Sequence, residues 1–157
     1  GEVGEVVIKS PGNMVGYWKN PEATAEVFND DGWFKSGDLG YFDGPFLHIV
    51  DRVKDLVIRG GENISCIEVE AAIYEHSDVL EACIIGIPDE RLGELVASAV
   101  HLKPGVELSQ DDIQEFLAGK IAAFKIPYEV RFFKDPLPKI ASGKFDKPSL
   151  RKIFAND

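Results

Sequence analysis

Residues 51–70 read DRVKDLVIRGGENISCIEVE, and the fold is decided by how this stretch is parsed. The charged residues Asp51–Asp55 precede a short apolar strand, Leu56–Ile58. Gly60 and Gly61 then stand together between strand-like runs, where adjacent glycines supply the positive φ of a tight hairpin turn. A second short strand falls near Ile64, and Val69, Ala72 and Ile73 at helical spacing predict a helix after it.

Upstream of this hairpin the chain is β-rich. Glu5–Lys9 reads as a β-branched strand ended by Pro11-Gly12. Asn20-Pro21 has the form of a helix cap followed by proline at the first helical position, which predicts a short helix over 21–28. Gly32–Lys35 and Leu39–Phe42 flank a Ser36-Gly37-Asp38 turn, and Asp43-Gly44 leads into a strand over 46–50. This section is too small to bury a core alone, so its apolar residues are expected to pack on protein further upstream. The opening GEVGEVVIKS reads as a strand in progress and not as a signal or transit peptide.

The texture changes at Val53–Lys54 to a mixed α and β pattern with its own core. Val79–Ile87, ended by Pro88-Asp89, and Leu95–Leu102, ended by Lys103-Pro104-Gly105, read as central strands. Ser109 and Asp112 form a capping-box variant, after which Ile113, Phe116, Leu117, Ile121 and Phe124 recur at helical spacing. Glu129–Phe133 is a further strand, and Pro136 and Pro138 bracket a loop through Gly143. Asp146 caps a last helix with Leu150, Ile153 and Phe154 inward. The expected class is α+β: residues 1–53 as a β-rich section, then 54–157 as a short hairpin and a roughly three-stranded sheet flanked by helices.

Composition narrows the function classes. A hydrophobic content of 45% and a charged content of 28% suit a soluble globular protein. The formal net charge of -10 disfavours nucleic acid as a partner. No apolar run approaches the ~20 residues of a transmembrane segment. Cys66 and Cys83 sit in apolar contexts without a CxxC pair, as reduced core residues of a cytoplasmic protein would. His48, His76 and His101 lack metal-ligand spacing, so no metal site is expected. Trp18, Trp33 and Tyr17 read as packing residues, and Lys147, Arg151 and Lys152 as a solvated helix face.

Three motifs carry chemistry. Lys144 follows Ser142-Gly143 in PLPKIASGK, but the phosphate-loop reading fails because position 138 is Pro and Phe145 replaces the required Ser or Thr. Asp38 in a glycine turn is by itself an Asx-turn, and Arg52 by itself an ion-pair partner of Asp51 or Asp55. In this order and at these separations, however, GWFKSGDLG, DRVKDLVIRGGE and PLPKIASGK resemble the adenylate-forming superfamily of acyl-CoA synthetases, peptide-synthetase adenylation domains and luciferases. The wording is closest to fatty acyl-CoA ligases. The resemblance covers nearly the whole chain but only the final part of such an enzyme.

That resemblance implies roles. Residues 1–53 become the end of a large N-terminal adenylating domain, and 54–157 a small mobile C-terminal lid. Lys144 becomes the adenylation lysine, Asp38 the ribose ligand, and Arg52 a contact to ribose and phosphates. Lys54 becomes the hinge, and the Gly60-Gly61 hairpin, Gly61 above all, lines the passage for CoA. The chain departs from the usual wording at Lys139, where Arg is common, at Phe34, where Tyr is common, and at Asp51, where many synthetases have Gly. The implied substrates are ATP, CoA and a fatty acid or other carboxylic acid, passing through an acyl-adenylate to acyl-CoA, AMP and pyrophosphate. Mg2+ ligands are expected in the N-terminal domain, the missing partner of these residues, which alone are expected to be inactive. The rival readings are an adenylation domain loading a carrier-protein thiol, and a non-catalytic interaction module.

Overall fold

The structure, a computed structural model, describes residues 1–155; Asn156 and Asp157, the end of the expected second section, lie outside the described residues. Two compact units divide the chain, Gly1–Lys54 and a second beginning at Asp55.

In the first unit β1 (Gly4–Ile8), β2 (Phe34–Asp43) and β3 (Phe46–Arg52) form an antiparallel sheet in the order β1-β2-β3. Helix α1 (Pro21–Val27) begins where the sequence predicts, with the Asn20 side chain accepting from the Ala23 amide. One expectation needs correcting: Ser36-Gly37-Asp38 does not turn the chain but continues β2. Val7 pairs with Lys35 and Glu5 with Leu39, so three residues of β2 oppose one of β1. Gly37 takes φ 76°, which lets the extra residues bulge out without ending the strand. Trp18 is 87% exposed within this unit, and Tyr17 and Trp33 are also exposed. Among the described residues of this unit only Gly40 and Asp51 are buried.

The second unit holds the hydrophobic core. A hairpin of β4 (Val57–Arg59) and β5 (Glu62–Ile64) turns through Gly60 at φ 60° and Gly61 at φ 90°, the two positive φ values of a two-residue hairpin loop. Helix α2 (Cys66–Tyr74) follows, capped by Ser65. Then come β6 (Val79–Asp89), β7 (Gly93–Leu102), α3 (Gln110–Leu117), β8 (Glu129–Phe133) and α4 (Lys147–Ala155). The hairpin strand β4 joins the larger sheet at one pair, Arg59 opposite Gly93, so the strand order is β5-β4-β7-β6. Two side bonds secure that joint, from the Gly60 amide to Leu92 O at 2.8 Å and from the Ile58 amide to the Glu94 carboxylate at 2.8 Å. Strand β8 lies parallel to β7.

Three details depart from the sequence reading. Pro88 does not end its strand but pairs with Glu94 inside β6. It shares alternation with Ala82 and Ile84, whose amides point away from β7 and bond to the Tyr74 hydroxyl at 3.0 Å and the Glu70 carboxylate at 2.8 Å. A missing N–H in that outward row costs no ladder bond. In the sheet β6 is an edge strand, with the outward amides of Ala82 and Ile84 satisfied by α2, and β7 is the central one. Helix α3 opens on the complete Ser109–Asp112 capping box but stops at Leu117, because Gly119 at φ 80° turns the chain away. Ile121 and Phe124 still reach the same core, from a turn and a short helical turn at Ala123–Lys125. On α4, Leu150 and Phe154 are buried while Ile153 is 41% exposed.

Two apolar clusters fill the unit, one on each face of the β6–β7 sheet. Val57, Ile64, Val69, Ile73, Ile84, Val96, Ile113 and Leu117 belong to the first. Cys83, Ile85, Ala97, Ala99, Leu137, Leu150 and Phe154 belong to the second. Both cysteines are buried and neither is in a disulfide.

Candidate nucleotide and lid residues

Asp38 and Arg52 come together in the first unit. They are opposite one another across β2 and β3, and Arg52 Nε donates to Asp38 Oδ1 at 3.2 Å. The ion-pair partner of Arg52 is therefore Asp38, fourteen residues away, and not the side chain of Asp51 or Asp55. Asp51 is buried and receives the Arg52 amide at 2.6 Å, which holds the strand end in line. Both members of the pair remain substantially exposed, 55% for Arg52 and 38% for Asp38. An exposed pair of this kind stabilises a fold by about 0–1 kcal/mol. What it does offer is a carboxylate and a guanidinium side by side, able to receive hydroxyls and anionic oxygens together. Lys54 follows on the short helical turn Val53–Asp55, where the first unit ends.

In the second unit the Gly60-Gly61 turn presents open backbone. A Cβ on Gly60 would meet Leu92 Cδ2 at 3.2 Å, whereas one on Gly61 meets nothing within 4 Å. Lys144 sits at the exposed tip of a small hairpin loop. Ile140 donates its amide to Lys144 O at 2.9 Å, the Gly143 amide closes the turn on Ile140 O at 2.9 Å, and Lys139 bridges Phe145. Gly143 at φ 83° is the residue that makes this turn affordable. Behind the loop, the Asp146 amide donates to Pro138 O at 2.8 Å and the Asp146 carboxylate caps α4 through Ser149. The lysine ammonium therefore projects into solvent from an ordered base.

Sequence reading missed two charged groups. Lys147 is not solvated: its side chain is 17% exposed, with Nζ 3.9 Å from Asp55 Oδ1 and 3.8 Å from Glu70 Oε1. Burial opposes its charge, and the negative groups around it more than offset that, so its pKa is raised. Beside it, burial and the Glu70 carboxylate push the Cys83 thiol up to about 12, which leaves it an inert core group. Cys66 Sγ donates to Asp55 O at 2.6 Å, so the first residue of the second unit is tied to both α2 and α4. The other missed group is Glu81, which holds the base of the Lys144 loop. The only signal for either was a charge placed inside or beside an apolar run; its partner, in each case dozens of residues away, left no local trace. Among the described residues no cluster of three or more His, Cys, Asp or Glu could hold a metal ion, and no helix is long and apolar enough to cross a membrane.

Residues 68–144 match the model of the AMP-binding enzyme C-terminal domain, with Lys144 as the last matched residue. Feruloyl-CoA synthase of an Amycolatopsis species is 44% identical over 98% of this chain and 31% of its own length. A long-chain-fatty-acid–CoA ligase of Bacillus subtilis is 44% identical over 91% of this chain and 25% of its own length. The crystal structure of ATP-bound MatB from Rhodopseudomonas palustris superimposes with a TM-score of 0.91 at 38% identity, covering 99% of this chain and 31% of that one. The chain thus spans less than a third of the length of these relatives.

Proposed function

The chain belongs to the adenylate-forming enzymes, as the C-terminal part of one, and we propose that the whole protein is an AMP-forming acid–CoA ligase in which residues 54–157 serve as a moving lid. The observation that carries this reading is the match over residues 68–144 ending on a lysine at the exposed tip of an anchored loop. In the first half-reaction a carboxylate oxygen attacks the α-phosphorus of ATP and pyrophosphate leaves. Two anions meet there, and the Lys144 ammonium in a closed, dry site offsets the charge that gathers between them. Asp38 takes the ribose hydroxyls, and Arg52 spans ribose and phosphate. The lid then turns about Lys54, withdraws Lys144 and brings up the Gly60-Gly61 hairpin. The CoA sulfur attacks the acyl carbon and AMP leaves.

Residues 1–53 in this reading complete the large adenylating domain, whose remainder supplies the Mg2+ ligands and the adenine and acyl pockets. A fatty acid is the acid that the motif wording favours. Relatives named for ferulate and for long-chain fatty acids match this chain at the same 44% identity, so the selection of the acid belongs to the other domain. A cytoplasmic location accords with two buried cysteines that form no disulfide. The 157 residues alone, incubated with ATP, Mg2+, fatty acid and CoA, are expected to form no acyl-CoA; turnover comparable to an intact ligase overturns the division of labour.

The lid exchange is tested at Gly61. Its Cβ direction is empty, so a side chain there meets no wall of its own domain, and the cost of the substitution is backbone strain at φ 90°, which the melting temperature of the variant measures. In the full-length enzyme Gly61→Leu should slow thioester formation from supplied acyl-adenylate by roughly 10- to 100-fold, as misplacing a reacting group does. Adenylation should stay within about threefold of the wild type, because that half-reaction uses the other lid face. Equal slowing of both halves removes the hairpin from the CoA passage.

A further inference from the structure

Glu81 and Lys139 form a clamp that nothing in the motif wording assigns. Glu81 lies in β6, just after the register shift between Val79 and Glu81, and its side chain is 16% exposed. One carboxylate oxygen receives the Leu137 amide at 2.7 Å and the other the Lys139 ammonium at 2.5 Å. Both donors belong to the strand that enters the Lys144 loop. Leu137 is itself buried in the second apolar cluster, and the Lys139 ammonium also stands 5.4 Å from the centre of the Phe145 ring, on the strand that leaves the loop. One carboxylate therefore grips the incoming strand twice, and through Lys139 it reaches the outgoing one beside Lys144. Among the described residues, 140–144 beyond this grip are held by two turn bonds, Ile140 N to Lys144 O and Gly143 N to Ile140 O.

We infer that Glu81 is a positioning residue for the proposed adenylation step, acting through Leu137 and Lys139 to fix the direction in which the Lys144 loop leaves the sheet. The inference rests on the reading of Lys144 given above. The physical case is one of leverage. Lys144 is a flexible side chain, so its own rotamers cannot set its position to the fraction of an ångström that charge stabilisation at a reacting phosphate demands. The loop base must do so, and the base is pinned by a half-buried, charge-assisted pair instead of an exposed one. Burial by itself would raise the Glu81 carboxyl, but the Lys139 ammonium and the Leu137 amide together outweigh it and hold the carboxyl below its usual range. The Glu81 carboxyl is therefore ionised at neutral pH. Arginine at position 139 is expected to keep the clamp, since a guanidinium also donates to a carboxylate and stacks on an aromatic ring.

The experiment uses the full-length enzyme and measures both half-reactions, pyrophosphate release on adenylation and thioester formation from supplied acyl-adenylate. Glu81→Gln keeps an acceptor for Leu137 but loses the charge; Lys139→Met removes only the ammonium; Glu81→Leu removes both grips. Adenylation should fall by roughly 10-fold in the first two and roughly 100-fold in the third. Thioester formation should stay within about threefold, because Lys144 has left the site in that half-reaction. The double variant Glu81→Gln/Lys139→Met should be no slower than either single, as expected for partners in one interaction, and Lys139→Arg should adenylate normally. Adenylation unchanged in all variants, or both halves falling together with the melting temperature, overturns the clamp. Lys144→Ala run in parallel separates the two ideas. If it adenylates normally the reading of Lys144 fails; if it does not, and Glu81→Leu does, only the clamp fails.

Discussion

Replacing Lys144 by alanine in the full-length enzyme should lower acyl-adenylate formation by roughly 100- to 1,000-fold, the loss that follows removal of one preorganised charge-stabilising donor. Thioester formation from supplied acyl-adenylate should survive nearly intact. The asymmetry is the point. An ammonium that meets negative charge only while the carboxylate and the α-phosphate join is used in one transition state and absent from the other. The position of Lys144 permits this, since it is exposed at a loop tip. Lys144→Arg tests the same claim more finely: it keeps the charge but replaces a compact donor with a planar fork, and should recover part of the rate. Rapid-quench measurement of each half-reaction decides the matter, and an equal loss in both would assign Lys144 to folding or docking instead.

The second large effect is on stability. Leu150→Ala should destabilise the second unit by about 2–5 kcal/mol, the range for truncating a fully buried leucine. Leu150 is completely buried between α4 and the β6–β7 sheet, in the cluster that also contains Leu137 at the root of the Lys144 loop. Against a total stability of about 5–15 kcal/mol, a loss of that size lowers the melting temperature on the order of 10–30 °C for a unit of this length. Ile153→Ala, on the same helix but 41% exposed, should change stability by under about 1 kcal/mol. Thermal and urea unfolding of the two variants measures the contrast directly. Values within 1 kcal/mol of each other would mean that α4 is not packed through Leu150. Helix α4 is also held at its C-terminal end, where Arg131 donates to the Ile153 and Phe154 carbonyls at 3.0 and 3.4 Å. Truncating Leu150 therefore attacks the packing and leaves the cap in place.

Elements whose cause is local were legible from residue order. The double glycine predicted the β4–β5 turn, Ser109 with Asp112 the opening of α3, Asn20-Pro21 that of α1, and Asp146 that of α4. Each depends on a φ preference or a side-chain oxygen acting within four residues, so the information is contained in the segment. The misreadings share the opposite property. Ser36-Gly37-Asp38 looked like a turn because the bulge that absorbs it exists only against β1. Pro88 looked like a strand end because its harmless side faces away from β7, a fact about the neighbour and not about proline. Ile121 and Phe124 kept helical spacing although the helix had ended, because a turn can carry the same residues to the same core.

The candidate site divides along the same line. The resemblance of their motifs proposes Asp38, Arg52, Lys54, Gly60, Gly61 and Lys144, although each taken alone reads as a turn, an ion pair or a surface charge. It could not show that Arg52 pairs with Asp38 across two strands, that Lys147 is buried between Asp55 and Glu70, or that Glu81 grips the loop beneath Lys144. Those are contacts between residues 14 to 92 positions apart. Chain entropy keeps such groups apart in the unfolded protein, and only the packed sheet, by fixing both backbones at once, makes their meeting cheap enough to persist.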